Sequence, residues 1–127
     1  MEKKILIVED DIDFQDIYAL YLQGESFQVL KAYNGKEGFE VLEKETPDLI
    51  ILDLIMPEMD GEEFYVRLRT SDKWRTIPVI IASVNEKIPE GIAQLGGLAG
   101  VLKKPFDIDS LLGKVRANLQ SPDSTRS

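Results

Sequence analysis

Ile5-Leu6-Ile7-Val8 is an unbroken apolar run closed by Glu9-Asp10-Asp11, the pattern of a strand buried on two faces. Phe14, Ile17, Tyr18, Tyr21 and Leu22 then recur at i, i+3, i+4, i+7 and i+8, which predicts a helix with that stripe inward and Gly24 at its end. Phe27–Tyr33 alternates imperfectly and reads as a second strand, turning at Asn34-Gly35. A helix over about Lys36 to Glu45 must stop before Thr46-Pro47, because the residue before proline avoids the α region. Leu49-Ile50-Ile51-Leu52 is a third strand, Phe64 and Leu68 mark a third helix, and Ile77–Ala82 is a fourth buried strand. Ile88, Ile92 and Leu95 have helical spacing, but Pro89, Gly91 and Gly96-Gly97 limit that helix to about two turns. Val101-Leu102 reads as a short fifth strand. Ile108, Leu111, Leu112, Val115 and Leu119 make an amphipathic last helix.

The pattern is therefore a strand–helix unit repeated. Non-alternating strands separated by single helices imply an α/β fold: a doubly wound parallel sheet of five strands with five helices and right-handed crossovers. In such open sheets ligands bind beyond the carboxyl ends of the strands, where the strand order reverses. The residues at those ends carry the functional question.

Composition narrows the answers. The 127 residues contain neither Cys nor His, which excludes thiol nucleophiles, disulfides, imidazole bases and a phosphohistidine of the chain's own. The 15 Lys+Arg against 23 Asp+Glu give a formal net charge of −8, which argues against binding of nucleic acid or an anionic membrane by this domain. The first apolar run is too short for a signal peptide or a membrane span, so a cytoplasmic protein is expected. Residues 1–120 are expected to form one domain, and Ser121–Ser127, which has no hydrophobe, a disordered tail or the start of a linker. Arg67, Arg69, Lys73 and Arg75 read as a solvated basic face, and Trp74 as a packed or partly exposed loop residue.

Strand one runs into Glu9-Asp10-Asp11, strand three into Asp53, strand four into Ser83 and strand five into Lys103-Lys104-Pro105. Taken alone, the acids after strand one suit the N-terminus of the following helix, and Ser83 and the lysines suit a solvated loop. Asp53 is harder to dismiss, since an acid closing a deeply apolar strand needs a partner or a function. If strands one and three are neighbours, Asp10 and Asp53 face each other, and like charges so placed call for a cation. Mg²⁺ suits them, taking one or two carboxylates while leaving room for a phosphate oxygen. Asp53 as nucleophile, with the metal, the Lys104 ammonium and the Ser83 hydroxyl neutralising equatorial oxygens, is a set able to form an acyl phosphate.

Together, Ile5-Leu6-Ile7-Val8-Glu9-Asp10-Asp11, Asp53-Leu54-Ile55-Met56-Pro57-Glu58-Met59-Asp60-Gly61, Pro78-Val79-Ile80-Ile81-Ala82-Ser83 and Lys104-Pro105-Phe106 resemble the receiver domain of bacterial response regulators. The resemblance covers residues 3 to 119. It implies a flavodoxin-like sheet of order 2-1-3-4-5. It also implies that Asp53 is the phosphoacceptor, that Asp10 and Asp53 ligate Mg²⁺, that Glu9 holds a metal-bound water and that Ile55 lends its backbone carbonyl. Ser83 then binds the phosphoryl group and Lys104 pairs with it, with Lys104–Pro105 in the cis form. The function implied is a phosphorylation-dependent signalling switch, not an enzyme beyond its own phosphorylation and dephosphorylation. Its donor is a sensor histidine kinase or histidine phosphotransfer protein, and its downstream target is unknown.

The chain departs from the family at Val101, where receivers usually carry an aromatic switch residue, and at Gly96-Gly97-Leu98-Ala99-Gly100 before it. Activation is accordingly expected to shift residues 84–100 as loop and helix, in place of a side-chain flip. Two rivals share the architecture. A haloacid-dehalogenase-like phosphatase also uses an aspartyl phosphate, but it wants a second acid where Ile55 stands. A flavodoxin-like binding protein cradles phosphate in its first loop, where Glu9-Asp10-Asp11 repels an anion.

Overall fold

A computed structural model describes residues 3–54, 60–84, 88–104 and 106–119. The expectations for Ile55, for residues 85–87, for the Lys104–Pro105 peptide and for residues 121–127 lie outside the described residues. Strands β1 (Lys4–Val8), β2 (Gln28–Ala32), β3 (Leu49–Asp53), β4 (Val79–Ser83) and β5 (Leu98–Lys103) alternate with helices α1 (Ile12–Gly24), α2 (Gly35–Lys44), α3 (Gly61–Arg69), α4 (Glu90–Leu95) and α5 (Ile108–Leu119). The strands form one sheet in the order β2-β1-β3-β4-β5, and every pairing is parallel. The order in which strands are added to the sheet thus reverses between β1 and β3, where the crevice opens.

The apolar runs fill the middle of the sheet, and every residue of β3 and β4 is buried. Their side chains alternate between two cores. Leu6, Val8, Ile50, Leu52 and Ile81 pack beneath α2, α3 and α4 with Phe64 and Leu68. Ile5, Ile7, Leu49, Ile51, Ile80 and Ala82 pack beneath α1 and α5 with Tyr18, Leu22, Leu111 and Val115. No helix among the described residues is long and apolar enough to cross a membrane.

Polar residues start the helices. Asp11, Asn34 and Asp60 each accept from a backbone N–H three residues on, at 3.1, 2.8 and 2.9 Å, capping α1, α2 and α3. Asp107 does the same for α5, accepting from Ser110 N at 2.7 Å. The short α4 has no side-chain cap.

Three expectations need correction. The face of α1 that turns inward is Gln15, Tyr18, Ala19 and Leu22, whereas Ile17 and Tyr21 of the predicted stripe are exposed. The cause is Gln15, whose fully buried Nε2 donates to the carbonyls of Ile7, Glu9 and Ala32 at 2.9, 3.2 and 2.7 Å. It closes backbone acceptors at the ends of β1 and β2, which outweighs burying another apolar side chain. The fifth strand is longer than Val101-Leu102, because the positive φ of Gly96 (68°) and Gly97 (80°) turns the chain directly from α4 into β5. The basic face is not simply solvated: Arg69 donates to the carbonyls of Arg75, Ile77 and Gly97 and to the Tyr65 hydroxyl. Trp74 is half-buried against Phe39, with ring centroids 5.5 Å apart, as a packed loop residue should be.

Candidate functional site

The carboxyl ends of β1, β3 and β5 surround a cavity of about 740 Å³ lined by Glu9, Asp10, Asp11, Asp53 and Lys104, with Ile12, Phe14 and Val84 at its walls. Register explains the convergence. Val8 pairs with Leu52, so Glu9 and Asp53 leave their strands at the same level and continue the face that packs beneath α1 and α5. Asp11 is spent on capping α1, which separates its task from those of Glu9 and Asp10.

One carboxylate oxygen from each of Glu9, Asp10 and Asp53 can be chosen so that all lie within 4.8 Å of one another. Glu9 and Asp53 are buried and Asp10 is exposed to the cavity. The Lys104 ammonium lies 2.6 Å from Glu9 Oε1 and 3.7 Å from Asp53 Oδ1, itself largely shielded from solvent. One ammonium does not balance three carboxylates. Burial, aided by the Asp53 charge, pushes the Glu9 carboxyl up to about 7 against the opposing hydrogen bond from Lys104. Burial and the same two acids also hold the Tyr18 phenol well above its ordinary range. An all-oxygen donor set short of positive charge fits a hard divalent cation.

Ser83 sits differently from the other expected residues. It closes β4 one position beyond Ala82, the register partner of Asp53, and its backbone carbonyl accepts from Lys104 N at 2.8 Å. It is fully buried, and alternation puts it on the sheet face opposite Glu9 and Asp53. The neighbouring Val84, 57% exposed, lines the cavity in its place.

Two supporting residues escape any reading of strand ends. Gln15 ties the β1 and β2 termini from beneath, and its only sequence signal is a polar residue on the inward face of a helix. Gly61 begins α3 against the end of β3: its N–H donates to Leu54 O at 2.9 Å. A Cβ there would stand 2.5 Å from the carbonyl oxygen of Asp53.

Residues 5–116 match the family model of the response regulator receiver domain. The chain belongs to that family. The receiver is 34% identical over 121 residues to the DNA-binding dual master transcriptional regulator RpaA of Synechocystis, an alignment covering 94% of this chain and 50% of that protein. Its fold superposes on Vibrio cholerae chemotaxis protein CheY4 with a TM-score of 0.84 at 29% identity, over 93% of this chain and 99% of that one. The receiver domain of the Pseudomonas aeruginosa sensor histidine kinase PA1611, which carries a magnesium ion in its active-site cleft, gives the same TM-score of 0.84 at 24% identity, over 95% of this chain and 100% of that one. This receiver spans about half the length of the curated relatives it matches. Family membership makes it a receiver domain of two-component signalling, a signalling domain rather than a classical enzyme, and favours neither the dehalogenase-like nor the flavodoxin-like alternative.

Proposed function

We propose that Asp53 is the phosphoacceptor, charged in a Mg²⁺-dependent reaction by a sensor histidine kinase or histidine phosphotransfer protein. The observation that carries this reading is the meeting of three carboxylates and one ammonium in a single cavity at the sheet's switch point. An Asp53 carboxylate oxygen attacks phosphorus. A P–O bond forms as the P–N bond of the phosphohistidine breaks, and the bonding pair leaves with the imidazole nitrogen. Attack by water on the same phosphorus later releases inorganic phosphate and restores the carboxylate. Both steps are the receiver's own chemistry, the only reactions it needs to promote.

Asp10 and Asp53 would hold the cation directly, Glu9 through water and Ile55 by its backbone carbonyl. Bound there, Mg²⁺ supplies charge neutralisation for the phosphoryl oxygens. Lys104, already between Glu9 and Asp53, exchanges one carboxylate contact for a phosphoryl oxygen. Ser83 donates its hydroxyl to the same group once the end of β4 moves toward it.

Residues 1–120 form the switching unit, and the setting is cytoplasmic. The downstream target is a partner of the whole protein, without nucleic-acid or membrane binding by this domain. Incubation with phosphoramidate or acetyl phosphate tests the chemistry. The expected result is one added phosphoryl group by mass, dependent on Mg²⁺ and absent from Asp53→Asn. Unchanged labelling of that variant would move the nucleophile elsewhere.

A further inference from the structure

Lys104 has a third contact besides its two acids. Its ammonium lies over the ring of Phe14, 4.4 Å from the centroid. Phe14 projects from the first turn and a half of α1 and is braced by Tyr18 one turn on, with ring centroids 6.3 Å apart. Tyr18, only 1% exposed, stacks in turn on Phe106 at 5.8 Å, just beyond Lys104 in the chain. Phe14, Tyr18 and Phe106 thus form a run of ring contacts, and the charged end of Lys104 rests on the Phe14 end of it.

The two acidic contacts are conditional. Glu9 and Asp53 belong to the acidic group that suits a cation, and a phosphoryl group on Asp53 changes what that carboxylate presents. The ring contact depends on neither. It involves no carboxylate, and a face of π density attracts a cation without taking a hydrogen bond from it. It also limits the rotamers of a side chain whose freedom is otherwise costly to restrict.

We infer that Phe14 is a positioning residue for phosphoryl acceptance, holding the Lys104 ammonium at the cavity by a cation–π contact while its acidic partners are redirected. This inference rests on the phosphoacceptor reading of Asp53. Its signature is a dependence on ring electrostatics, which packing alone does not produce.

Replacing Phe14 with its 4-fluoro, 3,4,5-trifluoro and pentafluoro analogues keeps the shape of the ring and weakens its π face stepwise. Affinity for beryllofluoride in the presence of Mg²⁺ should fall in that order, reaching roughly a three- to tenfold loss, with Phe14→Leu at the same end point. In the metal-free protein the Lys104 ε-methylene protons should show a ring-current shift that Phe14→Leu abolishes. A flat fluorination series in a protein that binds beryllofluoride would overturn the positioning role alone. Failure of the unsubstituted protein to bind beryllofluoride with Mg²⁺ would overturn the phosphoacceptor reading, and the role of Phe14 with it.

Discussion

The Tyr65 hydroxyl donates to the carbonyl oxygen of Gly96 at 2.5 Å, joining the middle of α3 to the turn between α4 and β5. Arg69, one turn further along α3, donates to Gly97 O at 3.0 Å, and Glu62 accepts from Gly91 N at 3.2 Å near the start of α4. A six-residue helix without a side-chain cap is thus held at its two ends by polar side chains of its neighbour. Helices this short gain little from their own hydrogen bonds, so these contacts, with the buried Ile92, hold α4 in place.

Tyr65→Phe should therefore loosen α4 and the start of β5 while costing the whole domain only about 1 kcal/mol, the net worth of one hydrogen bond. Hydrogen exchange should quicken across residues 90–98 and stay unchanged in β1 and β3. Uniform acceleration throughout the sheet would show that Tyr65 supports the core and not the turn.

Clustered carboxylates make a second prediction. Without divalent cations Asp53→Asn should be at least as stable as the unsubstituted domain, since it removes one of three acids held close together. Mg²⁺ should stabilise the unsubstituted domain by about 2.7 kcal/mol at a hundredfold excess over its Kd. Asp10→Ala should lose most of that gain with little change to the metal-free fold, because Asp10 is exposed and Glu9 and Asp53 are not. Thermal melts with and without Mg²⁺ read both effects. Equal Mg²⁺ stabilisation of Asp10→Ala would remove Asp10 from the ligand set.

Gly61 sets how closely α3 approaches the end of β3. A Cβ at this position would meet Asp53 O and Leu54 Cα, each at 2.5 Å, and backbone atoms have no rotamer by which to withdraw. Gly61→Ala should cost about 1–3 kcal/mol by overpacking and displace the Asp53 carboxylate with its strand end. The urea midpoint should fall and Mg²⁺ binding weaken together. A fall in stability with Mg²⁺ affinity intact would mean that α3 moves and the strand end does not.

Much of this was legible in the sequence because burial on two faces leaves an unmistakable mark. Ile5–Val8 and Leu49–Leu52 are apolar at every position, as strands covered on both faces require. The acids and the lysine were legible because they interrupt or end those runs. Periodicity failed on α1, where Ile17 and Tyr21 mimic a core stripe and Gln15, a polar residue, goes inside. Gln15 is buried for the carbonyls it satisfies, and no pattern of hydrophobicity encodes where those carbonyls lie. The contact of Phe14 with Lys104 joins residues 90 positions apart and depends on the sheet order, so it is visible only in the fold.

On the proposed function, phosphorylation of Asp53 is expected to reach α4 through Ser83. Val101 pairs with Ile81 on β5, and a β-branched side chain with one stiff torsion has no ring to swing into the space that Ser83 vacates. The backbone of β4 is then expected to carry the displacement itself, through Val84 toward α4, which polar side chains of α3 hold at its two ends. Beryllofluoride should accordingly quicken or slow exchange over residues 88–100 while leaving β1 and β2 unchanged. Ser83→Ala separates the two halves of the process. Asp53, Asp10 and Lys104 are intact in that variant, so the acyl phosphate should still form, slowed at most by about 10- to 100-fold through the loss of one hydrogen-bond donor to the transition state. The exchange response over residues 88–100 should vanish, because nothing then pulls the end of β4 toward the phosphoryl group. A full response in Ser83→Ala would show that the signal reaches α4 without passing through β4.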